Sequence, residues 1–337
     1  MDEHLLLERA RAGDEKAFER LVLAYRGELA AHCYRMLGSP HDAEDAVQES
    51  LLSAWRGLAG FEGRSSLRTW LYRISTNTCL RLNGRRAPRV MSPDREAARG
   101  RTDDLGEFVG GPVWMEPWPD DLAADEPGPA GSYLRREGVE LAFVAALQQL
   151  PGTQRAVLIL REVLGFSAAE VAGLLDTSVA SVNSALQRAG KTMRKRVPPV
   201  SQRDELAALG ADGRRELVAS FVNAWERADV DGLVALLARE ARFTMPPLPA
   251  WFDGRENVRR FLVERVFAFD WLLRPIAANG QLGFACYQRT PGHPRFVLAA
   301  LLVLSVRGGK IVELTGFLDP QLHQVFRLSQ EISPEER

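Results

Sequence analysis

The sequence is short of cysteine, of long apolar runs and of net charge, and each shortage narrows the classes of protein it can belong to. Its three cysteines, Cys33, Cys79 and Cys286, are scattered and form no CxxC pair, which argues against a disulfide scaffold or a thiolate metal site. The longest apolar run, 296–306, is about half of the roughly 20 residues that a membrane helix needs. The charged N-terminus lacks the apolar core of a signal peptide. We therefore expect a protein of the reducing cytoplasm, with no membrane partner, no metal and no cofactor.

The net charge of −1 hides an uneven distribution along the 337 residues. Residues 1–90 carry a net +2, and 64–89 within them hold seven Arg and no acidic residue. Residues 91–133 carry −7, residues 134–200 carry +4, and the remainder is neutral. The near-neutral total charge therefore does not exclude nucleic-acid binding. The basic blocks do not establish it alone either, because such a block is often only a solvated helix face. The length predicts two or three domains.

Helix signals dominate residues 1–90. Asp14 is placed to cap one helix, and Ser39, followed by Pro40, is a strong start for another that runs to about Leu58. A turn-like stretch, 61–66, precedes a third helix. Three polar residues recur there at every fourth position, away from the apolar face: Arg73, Asn77 and Arg81.

The stretch 61–66 and the helix after it have the chemistry to hold an opened DNA strand. Arg side chains bind phosphates, Phe61 can wedge or stack, and small loop residues leave room for an extruded base. Taken alone, the same pattern also fits a solvated Arg-rich helix.

Residues 88–133 are rich in Pro, Gly and acidic residues and show no sustained period, which is typical of a linker or a poorly ordered segment. Trp114 and Trp118 are the exception, because two exposed indoles are costly; we expect them to pack against a domain.

Residues 134–196 predict a helix-turn-helix. Ser167 and Glu170 form a capping box, and a short turn at 176–178 separates that helix from a second one. Apolar residues of the second helix repeat at intervals of three and four, and its other face is polar and basic. Such a face suits base edges and phosphates, although an ordinary amphipathic helix has the same pattern.

Beyond Pro198, the pattern predicts helices over 213–240 and 254–268 and then a run of strands. Helices followed by strands point to an α+β domain with a curved antiparallel sheet. The predicted strands are 241–247, 271–278, 281–289, 295–306 and 310–318.

Three blocks, in this order, resemble the extracytoplasmic-function group of RNA polymerase sigma factors. They are DAEDAVQESLLSAWR (42–56), FEGRSSLRTWLYRISTNT (61–78) and LPGTQRAVLILREVLGFS (150–167), the last leading into the helix-turn-helix. The resemblance covers about 1–90 and 134–197. Family members often carry Arg at the positions of Asn183 and Ala185, so the preferred −35 sequence does not carry over.

This resemblance implies two all-α domains and three sets of contacts, with core RNA polymerase (its clamp helices and flap) and promoter DNA as partners. Region 2 would span 1–90, and region 4 would span 134–198. Polymerase contacts would be Asp42, Asp45, Gln48, Glu49 and Trp55. Contacts to the −10 element would be Phe61, Arg64, Ser65, Ser66, Arg68, Arg73, Asn77 and Arg81. Contacts to the −35 element would be Ser181, Asn183, Ser184, Gln187, Arg188 and Lys191.

Residues 205–327, before a tail at 328–337, resemble the cone-shaped α+β SnoaL-like domain that one branch of this group carries. The match includes FTMPP (243–247), WFDGR (251–255) and GFLDP (316–320), and the WMEPWPD segment resembles that branch's linker motif. The linker would be 91–133, with Trp114, Glu116, Pro117, Trp118 and Asp120 as regulatory residues. Such domains enclose an apolar cavity, here expected to be walled by Trp251, Phe261, Phe284, Phe296 and Asp319.

Catalysis in such a cavity needs an acid and a base with tuned pKa values, and the candidates are poor. His293 lies in a turn-like TPGHP, Asp319 precedes Pro at a strand end, and Asp253 is placed to cap a helix. We therefore predict a sigma factor that is not an enzyme, with a C-terminal domain that regulates it in cis and has a small molecule as a candidate ligand. The linker and this domain are expected to pack against the −10-binding domain.

Two alternatives stay open. One is a one-component helix-turn-helix regulator with a ligand-sensing domain, which would leave the acidic helix of 42–56 unexplained. The other is a bifunctional protein whose C-terminal domain is a cyclase-like or isomerase-like enzyme.

Overall fold

The computed structural model describes residues 3–84, 87–111, 113–123, 139–290 and 292–333. Arg85 and Arg86 of the basic block, residues 124–133 of the predicted linker and 334–337 of the predicted tail lie outside the described residues. The chain divides into two compact units. A helical unit comprises Met1–Arg89 and Asp120–Pro198, and a C-terminal unit comprises Val90–Pro119 and Pro199–Arg337.

Helices are numbered in chain order. They are α1 (Glu3–Arg11), α2 (Glu15–Leu37), α3 (Pro40–Gly57), α4 (Leu67–Asn83), α5 (Ser92–Arg95), α6 (Leu141–Gln148), α7 (Gly152–Leu158, continued as a π-turn over Ile159–Val163), α8 (Ala168–Leu174), α9 (Val179–Arg196), α10 (Gln202–Glu226), α11 (Val230–Leu236), α12 (Arg255–Glu264) and α13 (Gln321–Val325).

The predicted caps of the helical unit are confirmed. The Asp14 carboxylate accepts a hydrogen bond from the N–H of Ala17 at 3.1 Å. The Ser39 hydroxyl accepts one from the N–H of Asp42 at 3.2 Å. Ser167 and Glu170 form both bonds of the capping box. These bonds satisfy N–H groups that a helix leaves unpaired in its first turn, which is why the starts are readable from sequence.

The C-terminal unit is a single mixed sheet with helices. Its strand order is β2-β1-β6-β5-β4-β3, with β7 paired to β5. The strands are β1 (Leu237–Thr244), β2 (Trp251–Asp253), β3 (Asp270–Ala278), β4 (Gln281–Arg289), β5 (Phe296–Arg307), β6 (Lys310–Phe317) and β7 (Glu331–Ile332).

A shared apolar core joins α10, α11 and α12 to one face of this sheet. It contains Phe221 and Trp225 of α10, Phe261 of α12, Phe284 of β4 and Leu302 of β5. Phe221 and Phe284 stack at 5.2 Å between ring centroids, so helix and sheet are held by close aromatic packing as well as by burial.

The α+β architecture of this unit is confirmed, but several details of the sequence interpretation are wrong. The single helix predicted over 213–240 is two helices, α10, which ends at Glu226, and α11, which ends at Leu236, and β1 begins at Leu237. β1 also pairs with β6 in parallel, so the sheet is not purely antiparallel. Residues 331–332, assigned to a tail, form β7. Such pairings join residues far apart in sequence, and local periodicity carries no information about them.

Candidate polymerase- and promoter-binding surfaces

Helix α3 presents an acidic face. Asp45, Gln48 and Glu49 are exposed on it, while Ala46 and Val47 are buried against the unit. Leu52, one turn further on, is 56 % exposed, which is unusual for a large apolar side chain. An apolar residue within an acidic surface is typical of a protein-binding patch. Leu52 was not among the predicted contacts, although its place on the polar side of the helical period was a signal for it.

Two of the predicted polymerase contacts do not lie freely on this face. The Asp42 carboxylate pairs with Arg89 at 2.5 Å, and both side chains are largely buried. Trp55 is half-buried, and its ring lies 5.1 Å from that of Phe18. The prediction that Asp42 is an accessible contact is therefore corrected, because Arg89, 47 residues later, covers it.

The loop before α4 forms one wall of a cleft of about 500 Å³. Arg64, Ser65 and Ser66 are exposed there, and Arg64 pairs with Glu62 at 2.8 Å. The Ser66 hydroxyl accepts a hydrogen bond from the N–H of Thr69 at 3.1 Å and so caps α4. The loop is thus held at its end by the helix, with its polar groups accessible.

Phe61 is buried, with its ring 5.0 Å from that of Trp70. Phe61 and Trp70 both line the cleft, but only 7% of Phe61 is exposed, so most of the expected wedge or stacking surface is packed against the fold.

Arg68 is engaged within the protein. Its guanidinium donates to both carboxylate oxygens of Glu28 at 3.0 to 3.2 Å. It also lies over the rings of Tyr72 at 4.9 Å and Phe166 at 5.2 Å. Arg73 and Asn77 are exposed on α4, and Arg81, also exposed, pairs with Glu49 of α3. Arg73, Asn77 and Arg81 are thus all exposed on α4, but Arg81 is already engaged in an ion pair.

Helix α8 completes the same cleft. Glu170, Gly173 and Leu174 line it opposite the 61–73 segment, and the rings of Phe166 and Tyr72 meet edge to face at 5.4 Å. Backbone and hydroxyl hydrogen bonds from Ser167 lower the pKa of Glu170, so this carboxylate is ionised. An anion at the mouth of the cleft repels a phosphate backbone.

Buried polar groups join α2 to the segment around α7. Arg155 donates to the Met36 carbonyl, to Gln148 Oε1 at 2.7 Å and to the Gln148 carbonyl at 3.0 Å. Gln148 in turn donates to the Arg35 carbonyl at 3.2 Å. Burial lowers the pKa of Arg155 to about 10, so it stays charged at neutral pH and satisfies the carbonyls at the end of α2.

His32 lies in the same core. Its Nε2 is 2.9 Å from Thr76 Oγ1, and its ring meets that of Tyr72 at 5.2 Å. Burial, and secondarily the positive charges of Arg35 and Arg68, lower the pKa of His32 to about 3. The imidazole is therefore neutral at physiological pH.

Helix α9 separates its two faces cleanly. Val182, Ala185, Ala189 and Met193 are buried, and Ser178 caps the helix by accepting from the N–H of Ser181 at 3.1 Å. All six residues predicted to face the −35 element are exposed: Ser181, Asn183, Ser184, Gln187, Arg188 and Lys191. The burial of Ala185 removes it from the polar face.

The segment 90–119 folds onto the C-terminal unit, so the described part of the predicted linker is ordered. Val90 forms two backbone hydrogen bonds, to Val113 and from Met115, at 2.8 and 3.1 Å. The indole of Trp114 is buried and donates to the Val109 carbonyl at 2.9 Å. Trp118 is buried, and its backbone N–H donates to Asn279 Oδ1 at 2.8 Å.

Further hydrogen bonds join the segment 90–119 to strand β2. The N–H of Arg99 donates to the Trp251 carbonyl, and the Trp251 indole donates to the Glu96 carbonyl, both at 2.8 Å. Pro117 is buried and Glu116 half-buried, whereas Asp120 belongs to the 3-10 turn Asp120–Ala123 of the helical unit. The predicted linker is therefore divided between the two units.

A cavity of about 250 Å³ lies in the C-terminal unit, and of the five residues expected to wall it, Phe261 does so. Phe284 belongs to the surrounding core, and Arg289 lies over the Phe296 ring. Asp319 accepts from the N–H of Gln321 at 2.9 Å, in a turn. The Trp251 indole donates to the Glu96 carbonyl of the segment 90–119.

The other two catalytic candidates, Asp253 and His293, do not line the cavity either. Asp253 pairs with Arg242 at 3.2 Å, and the cap of α12 is Gly254, so the expected cap role of Asp253 is wrong. His293 is exposed and contacts the Arg295 backbone. In the part of the chain that the structure describes, no helix is long and apolar enough to cross a membrane, and no group of three or more metal-ligating side chains is found.

Comparison with known families gives three matches in order along the chain. The Sigma-70 region 2 model matches residues 21–87, the Sigma-70 region 4 model matches 140–193, and the SnoaL-like domain model matches 218–314.

Individual relatives agree. The ECF RNA polymerase sigma factor SigG of Mycobacterium tuberculosis is 42% identical over 329 residues, which cover 96% of this chain and 86% of the relative. The RNA polymerase sigma-H factor of Pseudomonas aeruginosa is 33% identical over 198 residues, covering 58% of this chain and 93% of that protein. The crystal structure of the M. tuberculosis extracytoplasmic function sigma factor SigJ superimposes with a TM-score of 0.61 at 24% identity, covering 91% of this chain and 98% of that one, which supports the fold. The chain belongs to the extracytoplasmic-function family of RNA polymerase sigma factors, in a form that carries a C-terminal SnoaL-like domain.

Proposed function

We propose that this chain binds the clamp helices of core RNA polymerase through the exposed face of α3. The observation that carries this proposal is the combination of Asp45, Gln48 and Glu49 with the exposed Leu52 on one helix face. The acidic side chains supply long-range attraction and orientation, and Leu52 supplies the apolar contact that becomes desolvated. A repressor that acts on duplex DNA alone has no use for such a face.

The −10 element is captured, on this proposal, in the cleft between the 61–66 loop and α4. Arg64 and Ser65 offer donors on the wall of the cleft, Arg73 lines it from α4, and the exposed Ser66 and Asn77 extend the polar surface along the loop and α4. A melted strand needs phosphate contacts and space for an extruded base, and the cleft has both. Glu170 of α8 lines the same cleft, so a phosphate backbone that enters the cleft meets an anion on that side.

The −35 element is read by the exposed face of α9. Asn183 and Gln187 carry amides that can pair with base edges, and Arg188 and Lys191 lie one turn apart where phosphates run beside a major-groove helix.

The C-terminal unit acts, on this proposal, as a regulatory domain in cis and not as an enzyme. What supports this is that 90–119, which leads out of region 2, is hydrogen-bonded into this unit through Arg99, Trp118 and Asn279. Any change in the stability of that docking changes the length of free chain between regions 2 and 4.

The test is run-off transcription with purified core polymerase and the promoter upstream of the chain's own gene. A specific transcript that depends on the chain supports the proposal. Binding to that promoter without core polymerase, together with no co-purification of polymerase, would instead favour the one-component regulator.

Regulation in cis is tested on the full chain with the variant Asn279→Gly, which weakens the attachment of the segment 90–119 to the C-terminal unit. A change of promoter activity relative to the native chain, under conditions where core binding is unchanged, supports regulation by this unit. Unchanged activity in a chain whose linker is demonstrably released would contradict it.

A further inference from the structure

The exposed face of α9 changes its chemistry halfway along the helix. The helix has 18 residues, and its first half, 179–187, contains no charged side chain. Its second half, 188–196, contains five cations and no acidic residue, and all five are exposed: Arg188, Lys191, Arg194, Lys195 and Arg196. The N-terminal residues of a helix that enters the major groove contact base edges. A helix docked in this way presents uncharged groups to the bases and its cations to the phosphates.

The first half of α9 carries two amides, Asn183 and Gln187. Both side chains are exposed, and neither forms a hydrogen bond with any described residue. The Ser181 hydroxyl, by contrast, lies 2.9 Å from the Ser178 hydroxyl and belongs to the cap of the helix. Four residues of an α-helix advance about 6 Å along the axis and turn the side chain by only about 40°. The two amides therefore lie one above the other on the same face, free to bind.

Amides and guanidinium groups recognise different bases. In the major groove, adenine presents the acceptor N7 beside the donor N6–H₂, and these match the donor and the acceptor of a carboxamide. Guanine presents two acceptors, N7 and O6, which match the paired donors of Arg but leave a carboxamide oxygen facing an acceptor. The hydroxyl of the exposed Ser184 can donate or accept, so it does not discriminate between the two. The polar groups of the first half thus favour adenine over guanine.

We infer that Asn183 and Gln187 each read one adenine, so that the −35 element of this chain has two neighbouring A·T pairs at the positions that these side chains face. Residues three or four apart in a recognition helix contact successive base pairs, which sets the spacing of the two pairs. The inference rests on the proposed function of α9 and adds to it the identity of the bases.

The test uses the holoenzyme, assembled from core polymerase and the full chain. Its template is a library of the chain's own upstream promoter in which the base pairs around −35 are randomised. Sequencing of the templates retained in heparin-resistant open complexes gives the preferred base at each position. We expect two neighbouring adenines on one strand, each preferred over guanine by roughly tenfold, as one correct bidentate pair supplies.

Four variants assign each adenine to its side chain. Asn183→Arg should change one adenine to guanine and leave the other, and Gln187→Arg should do the reverse. Asn183→Gln keeps the amide and should keep both adenines. Thr177→Arg adds the same charge at an exposed position just before α9, and should strengthen binding to all templates alike. Because all three positions are exposed, these substitutions leave the packing of the core unchanged.

A preferred base other than adenine, at the positions that the two Arg variants alter, would overturn the inference and leave the reading of the −35 element by α9 intact. Adenines that persist in both Arg variants would overturn it as well. A native chain with no base preference around −35, in open complexes that still depend on the chain, would show that α9 does not read this element. In that case the proposed function of the helix would fail together with the inference.

Discussion

Trp118 and Asn279 are joined by a reciprocal pair of hydrogen bonds. The Trp118 N–H donates to Asn279 Oδ1 at 2.8 Å, and the Asn279 N–H donates to the Trp118 carbonyl at 2.9 Å. Asn279 is fully buried and has a φ of 55°, a left-handed conformation that asparagine tolerates better than most residues. Next to it, Pro119 forms an isolated bridge to Ala278 at the end of β3. This pair therefore fixes the end of the linker segment to the β3–β4 turn.

Replacing Asn279 by Gly is expected to release this end of the linker. Glycine keeps the backbone conformation but leaves the Trp118 N–H without its acceptor, which costs about 1–3 kcal/mol of local stability. Hydrogen exchange at Trp118 measures this, and Asn279→Asp, which keeps an acceptor, is the matched control. Equal protection in the native and Asn279→Gly chains would show that the bond contributes nothing.

Reversing the charge of Asp45 should weaken binding to core polymerase. Asp45→Arg places a cation in the acidic face of α3, and we expect roughly a tenfold loss of affinity that shrinks as salt is raised. Glu19→Arg, the same change at an exposed position of α2, is the control. Competition binding to core polymerase gives both values. A similar loss in the two variants would mean that the effect is one of net charge and not of the α3 surface.

Alanine substitutions at two residues of α9 should impair DNA binding in different ways. Gln187→Ala removes an amide suited to a base edge and should reduce discrimination between promoter and mutated −35 sequences by about 1–3 kcal/mol. Lys191→Ala should weaken binding to all sequences alike and lower the salt dependence by about one ion. Electrophoretic or anisotropy titrations of the holoenzyme at several salt concentrations separate these outcomes. If both variants behave alike, α9 does not lie in the groove as proposed.

Acid should destabilise the helical unit through His32. Its pKa is lowered to about 3 in the folded state, whereas an unfolded chain protonates near 6.5. Stability from the neutral imidazole is therefore present above pH 6.5 and is lost as the pH falls towards 3, by about 2 kcal/mol between pH 7 and pH 5. Urea unfolding followed by helical circular dichroism should show this loss in the native chain and a smaller one in His32→Gln. An equal pH dependence in both chains would exclude His32 as its source.

Local chemistry made the helical unit readable from sequence. The caps at Asp14, Ser39 and Ser167 use side chains within three residues of the N–H groups they satisfy, and the two faces of α9 follow from a period of 3.6. The family resemblance rested on these same blocks, so fold class and function could be predicted together.

Accessibility of individual site residues could not be predicted in the same way. Asp42 is covered by Arg89, Phe61 packs on Trp70, and Arg68 is held by Glu28 from 40 residues earlier. Each of these contacts turns a candidate ligand-binding side chain towards the protein. A helical or loop pattern shows which residues are polar, but not which of them form a hydrogen bond, an ion pair or a ring contact within the protein.

The sequence alone therefore determined the helix starts of the helical unit, the α+β class of the C-terminal domain and the family, because capping, periodicity and motif spacing are properties of neighbouring residues. Only the tertiary structure decided that β1 pairs in parallel with β6, that 90–119 folds onto the C-terminal unit, and that Trp225 and Leu105 meet at one cavity. These features depend on contacts between residues tens to more than a hundred positions apart, for which the free energy of packing the whole unit, and no local preference, sets the outcome.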